Sequence, residues 1–403
     1  IKIVSERMLQ KPKDVAKWFH STEWAIHGWI SNKMINNVTY NLEVAGSGTK
    51  SMDGNITTAG ILNVSAGDLS IGGNLLTLNG TVAGVGTLTG SATSDITVGG
   101  TGDLGTIDFT AASELLGDFT INRTTSGTVD FEEDFTIRDN LTMTEGIVRI
   151  ATGTTVTLGA SGNVINITGG SSTSYIATDE VDDDDTDDVI GVEFFLTNTD
   201  LDVPVGYNPY YPVLFNCSGC NGTQRFRYRI RRGPYNNPPA GGGRIFDDVV
   251  RAQWEIRLRS GSTPVTVTVR LRWFASEEDN TLGNDVGISI FDTNVNPAVD
   301  RFWDVGNNIA TKSGSNPYSR DRDITFTGNN RIYMAITNAN SPLPIQLLSF
   351  TGRLNNERHV DLNWQTLWEI DNDQFVVQRS LDNALTFEDI AIVSGSGTTN
   401  DIA

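Results

Sequence analysis

Histidine, cysteine and methionine are scarce, at three, two and five among 403 residues. Most metal sites built on imidazole or thiolate, and most histidine-based proton transfer, therefore lack raw material. Basic residues are short as well, 29 against 49 acidic ones, which leaves a formal charge of −20. A chain that acidic is poorly suited to neutralising phosphates, so nucleic-acid binding is excluded as an expectation. No run approaches the roughly 18–20 consecutive apolar residues that cross a bilayer, so no membrane span is expected. Taken together, these shortages argue against an enzyme, with no catalytic centre and no resident cofactor.

What the chain has in quantity is glycine, 41 residues, among many Thr, Ser and Asn. That bias points to short strands and tight turns, hence an all-β protein. The length exceeds one ordinary domain, and two or three extracellular-style modules are expected. The chain opens at Ile1 without methionine or a recognisable signal, as expected of a mature, processed or partial exported chain. Cys217 and Cys220 form a lone Cys-Ser-Gly-Cys. A redox pair should sit at a helix start and a cysteine-only zinc site needs four thiolates, so a disulfide closing a turn is favoured in an oxidising compartment.

Residues 1–35 are the one helix-like stretch and hold three of the eight tryptophans, Trp18, Trp24 and Trp29. Their spacing fits a 3.6-residue period poorly. The segment is read as a short helical cap, or as an aromatic segment that docks on a neighbouring subunit. Residues 36–178 contain 23 of the glycines and no Pro, Trp, Cys or His. Short alternating units recur there and end in Gly or Asn, among them Asn41–Gly46, Asn55–Gly60, Ile61–Gly67 and Asn74–Gly80. Strands so short cannot bury a core alone. Stacked as rungs of a β-solenoid, parallel β-helix-like, they form a continuous apolar column, with asparagine ladders outside and glycine at the corners. An irregular β-sandwich is the alternative.

Residues 179–188 carry eight acids in ten positions and read as a self-repelling linker. Asp182, Asp183, Asp184 and Asp185 are weak Ca²⁺ candidates, but the glycine-containing calcium-loop spacing is absent. Residues 189–340 read as a separate β-sandwich with longer alternating strands. Within it, Arg225, Arg227, Arg229 and Arg231 share one strand face, as do Arg257 with Arg259 and Arg270 with Arg272. If those strands are neighbours, the arginines form an anion-binding stripe suited to the acidic run or to an anionic surface polysaccharide.

Leu343–Gly352, His359–Thr366, Glu369–Ser380 and Phe387–Val393 together resemble the fibronectin-III-like segment of large secreted Bacteroidota surface proteins. In that family the segment precedes a C-terminal sorting domain read by the type IX secretion system. The glycine-rich units similarly look like the repeat tracts of such adhesins. The resemblance implies an extracellular, cell-surface location for the chain. A fibronectin-type sandwich needs about seven strands and close to 100 residues, whereas 341–403 supplies about sixty. The remainder is expected from further chain, or from a strand of another molecule.

The sequence therefore leads to a secreted structural subunit of a cell-surface filament, appendage or adhesin, a homo-oligomer that associates through β-edges and charge docking. An extracellular carbohydrate-binding protein is the alternative, with Trp303 or Tyr207, Tyr210 and Tyr211 stacking on sugars. A glycan-cleaving β-helix is the least favoured reading. It would draw on carboxylates such as Asp103, Asp108, Glu132 and Asp134.

Overall fold

A computed structural model describes residues 38–151, 153–178, 191–207, 209–238, 241–293, 303, 304, 306, 308–338, 346–355, 359–380 and 388–399. The N-terminal segment with its tryptophans and the acidic run with its calcium candidates lie outside these residues. The described chain is almost wholly β, and its glycine-rich part is a β-solenoid of about six turns. Two compact units divide the chain.

The first unit comprises residues 1–232, 252–277 and 313–331. Its coils stack in parallel and in register. Ile56 pairs with Leu76, and Leu76 with Ile96, a step of 20 residues. A second column runs Leu42, Leu62, Val82, and a third runs Lys50, Leu69, Leu88. Each early coil thus has three short strands, as in Ile56–Thr58, Leu62–Val64 and Asp68–Ser70. Most of these strands put their middle or flanking aliphatics inward, where Leu42, Val44, Leu62, Leu76 and Ile96 are buried. Full burial of one such side chain is worth about 1.5–3 kcal/mol, and successive coils supply the neighbours that a single strand lacks. At one corner Gly84 takes φ +108°, and a Cβ there would collide with the Val64 carbonyl one coil below. Only glycine meets both demands.

Later coils bury phenylalanine instead. Phe131 stacks on Phe135 with ring centroids 3.9 Å apart, and Phe109 and Phe119 complete the group. Two cations are built into the coil corners. Lys50, buried, donates to the carbonyls of Gly46, Ser47 and Gly48. Arg123, also buried, donates to Gly80 O at 2.7 Å, Thr101 O at 3.0 Å, Asp103 O at 3.1 Å, and the carbonyls of Gly99 and Gly102.

The stack does not stop at residue 178. Gly191–Leu196 pairs parallel with Thr155–Leu158 on one side and antiparallel with Gln224–Arg232 on the other. Val205–Gly206 likewise adds in parallel to Ile176–Thr178. The solenoid sheet therefore runs on into Gln224–Arg232 and its antiparallel neighbour Ala252–Ser260. A second antiparallel sheet faces it, ordered Asp200–Val203, Val213–Asn216, Val265–Trp273, Tyr318–Phe326. Between the two lie Phe194 on Phe215 (4.5 Å), Phe226 on Phe326 (5.4 Å) and Trp254 edge-on to Tyr211 (5.7 Å).

This continuity differs from the sequence reading, which separated 36–178 from 189–340. The compact units divide elsewhere, because parallel pairing bridges the acidic run and because 233–251, 278–312 and 332–340 group with the second unit.

That second unit holds Asp285–Asp292 paired with residues 332–338, over a small core of Phe291, Trp303, Tyr333 and Ala335. It also holds the hairpins of Gln346–Leu354, Val360–Arg379 and Glu388–Thr399, the stretch for which the sequence suggests a fibronectin-III-like segment. There Val360–Arg379 pairs through its first half with Gln346–Leu354 and through its second half with Glu388–Thr399. Trp364 and Phe375 have ring centroids 5.6 Å apart, although eleven extended residues would span about 36 Å. The chain consequently doubles back between them. Buried Glu369 holds that corner, accepting from Thr366 Oγ1 (2.8 Å), Asn372 Nδ2 (2.7 Å) and Ser396 N (2.7 Å). Burial raises its pKa, but those hydrogen bonds outweigh burial and hold the carboxyl below its ordinary range.

Candidate functional site

The eight arginines singled out in the sequence fall on two sheets. Arg225, Arg227, Arg229 and Arg231 lie on Gln224–Arg232, and Arg257 and Arg259 lie on its neighbour Ala252–Ser260. Alternation sends Phe226, Tyr228 and Ile230 into the core and the guanidiniums to the opposite face. Register then places Glu193 beside Arg227, and Glu255 beside Arg229.

Both glutamates are buried, and each gathers three arginines. Arg227 reaches Glu193 Oε1 through Nε at 2.9 Å and Nη2 at 2.7 Å, Arg259 reaches it at 3.4 Å, and Arg225 pairs with Oε2. Arg225 also lies 5.7 Å from the centre of the Phe195 ring. Glu255 takes Arg229 at 2.6 Å, Arg231 at 3.4 Å and Arg331 at 3.1 Å. Arg229 is only 3% exposed, so its charge stands largely in low dielectric, where a matched carboxylate offsets the loss of water. Arg257 Nε donates to Asn329 O.

On the other sheet Arg270 makes a two-pronged pair with Asp321, both contacts 2.7 Å. Arg272 binds both oxygens of Asp202. The hydrogen bond to Asp321 raises the Arg270 pKa and lowers that of its partner. Seven of the eight guanidiniums thus find carboxylates within their own chain, and Arg257 finds a backbone carbonyl. Sequence reasoning gave no role to Glu193 or to Glu255, although each stood out: one acid in the apolar Val192–Leu196, one on the strand face it shares with Arg257 and Arg259.

Cys217 and Cys220 are joined by a disulfide across a turn, with Cα atoms 5.4 Å apart. The rings nominated for sugar stacking are buried. Tyr211 donates to Glu277 Oε2 at 2.8 Å, and Trp303 Nε1 donates to Tyr235 O at 2.9 Å. Burial, aided by Asp202, pushes the Tyr210 hydroxyl up to about 12. These rings serve the core and offer no platform to a glycan.

The nominated carboxylates do not converge as one group. Asp134 accepts from Thr155 N at 2.7 Å, and Asp103 accepts from Thr128 Oγ1 at 2.8 Å, which lowers its pKa. Asp108 and Glu132 do share a concavity of about 220 Å³, floored by Val64, Val82 and Ile107. Nearby Glu133 is raised, first by burial and then by Asp108. Among the described residues no group of three His, Cys, Asp or Glu could hold a metal ion, and no helix is long and apolar enough to cross a membrane.

By its fold the chain is a β-solenoid protein whose coil sheet extends into a β-sandwich. No protein-family model matches it, and neither a curated protein nor a solved structure is similar to it.

Proposed function

We propose that the chain is a secreted structural subunit of a bacterial cell-surface filament, appendage or adhesin. The observation that supports this reading is the in-register coil stack itself. Apolar columns are buried rung upon rung, and the largest polar investments, Arg123, Lys50 and the glutamate-centred arginine clusters, tie backbone and strands together. Such a stack is a stiff element, and its mechanism is mechanical. Subunits join through sheet edges that are unpaired among the described residues, which present ready templates for another strand.

Charge docking has a smaller place than the sequence suggested, because seven of the eight arginines already face carboxylates of the same chain. Export by the type IX route, a Bacteroidota source and an extracellular location belong to the same proposal and stand on the sequence resemblance. Negative-stain microscopy of the purified chain tests the reading. Ordered fibres are expected, and dispersed single particles at every concentration would count against it.

A further inference from the structure

The two hairpins within Gln346–Thr399 face each other over an apolar surface that nothing among the described residues covers. Register puts Phe350 opposite Trp364 and Leu354 opposite Val360, all on one face. Ring contacts carry that face across the corner, from Phe350 to Trp364 (6.4 Å) and on to Phe375 (5.6 Å). Even so, Phe350 is 59% exposed, Leu354 66% and Val360 59%. These residues have the pattern of a core without its second wall, since interior positions of a two-sheet sandwich are normally closed on both sides.

We infer that this face receives the N-terminal aromatic segment of a second copy of the chain. Three observations select that occupant. Residues 1–37 precede the first described strand and carry Trp18, Phe19, Trp24, Ile26, Trp29 and Ile30, more large apolar surface than a solvated tail would hold. The segment has six basic residues against three acidic in a chain of net charge −20. The described hairpin residues have the opposite balance, with Asp361, Asp373, Glu388 and Asp389 exposed against two basic residues, Arg353 and Arg379. Apolar rings would fill the open face while Lys and Arg meet an acidic rim, an arrangement that favours this segment over an acidic one. Because the donor and acceptor surfaces differ, the contact is head-to-tail and extends into a chain of subunits instead of closing as a symmetric dimer.

This inference rests on the self-association proposed above, and the test separates the two. Trp24→Cys and Val360→Cys proteins are prepared separately, mixed under mild oxidation, and compared with a Trp24→Cys and Val85→Cys mixture. Val85 is exposed and lies on the solenoid, and the native cysteines are already paired. The expected result is a Trp24–Val360 cross-linked heterodimer about ten-fold more abundant than the control, reflecting the raised effective concentration at a docked contact. Leu354→Glu should abolish that heterodimer while leaving the fold intact, since the side chain is exposed. Self-association without the cross-link would overturn this inference and leave the proposed function standing. A double variant that cross-links only within one chain at all dilutions would overturn the second-copy occupant. Absence of any self-association in the unmodified chain would overturn both.

Discussion

Arg123 shows why a charged residue sits in the solenoid interior. Its guanidinium has five donors in a planar fork, and from its own coil it reaches carbonyls of the two preceding coils. Of those carbonyls Gly99 O is met in a buried hydrogen bond and the others in part-buried ones, and a buried carbonyl needs a donor. Arg123→Met should therefore destabilise by about 1–3 kcal/mol, the cost of one orphaned buried acceptor, and urea unfolding measures it. Arg123→Lys should recover part of the loss, because an ammonium reaches fewer of the five.

Asp95 behaves oppositely. Burial first, then the neighbouring charges of Asp118 and Asp139, raise its pKa, despite the hydrogen bond it accepts from Asp118 N at 2.9 Å. A raised folded-state pKa means the folded chain holds the proton more tightly, so stability from this group is greatest below the unfolded value of about 3.9 and is lost as pH rises through the folded value. Asp95→Asn should thus raise the melting temperature at pH 7 and change it little at pH 3. An equal shift at both values would contradict this. For the buried carboxylate centres, Glu193→Gln should cost about 3 kcal/mol, because it leaves Arg225, Arg227 and Arg259 crowded without their counter-charge. A loss confined to a few tenths would show those pairs to be dispensable.

At the scale of elements, stacking decides stability. Leu76 is fully buried between Ile56 and Ile96, so Leu76→Ala should cost about 2–5 kcal/mol by transfer and cavity terms together. The outward neighbour Thr77→Ala should cost far less, and the difference in urea midpoint checks the orientation of the strand. Much of this was legible in the residues. Asn41–Gly46, Ile61–Gly67 and Asn74–Gly80 each contain one strand, at Leu42–Val44, Leu62–Val64 and Leu75–Leu78, because period-two patterning and a terminal glycine are local signals.

What was not legible is pairing at long range. Nothing in Val192–Leu196 announces that it joins Thr155–Leu158 across the acidic run, since a strand's partner is chosen by tertiary packing. The same limit hid the separation of Arg270 and Arg272 from the other arginines. Alternation set which face they occupy but carried no information about which sheet their strand would enter. Glu193 and Glu255 escaped for a related reason, as an isolated acid reads as a solvated residue until its neighbours across the sheet are known.

For the whole molecule, the net charge of −20 opposes close approach of copies at low salt, while apolar docking and strand addition favour it. The two are separated by ionic strength, because the Debye length falls to about 3 Å at 1 M salt. Association through edges and the aromatic segment should persist or strengthen there. Association resting on exposed ion pairs, which contribute about 1 kcal/mol or less each, would be weakened. Sedimentation velocity of the full chain from micromolar upward, at 0.15 M and 1 M NaCl, tests the claim of a self-associating structural subunit most directly. A mass that climbs above 43.7 kDa with concentration in both salts is the result expected, and a monomer throughout, or one that forms only when salt is raised enough to precipitate it, would contradict it.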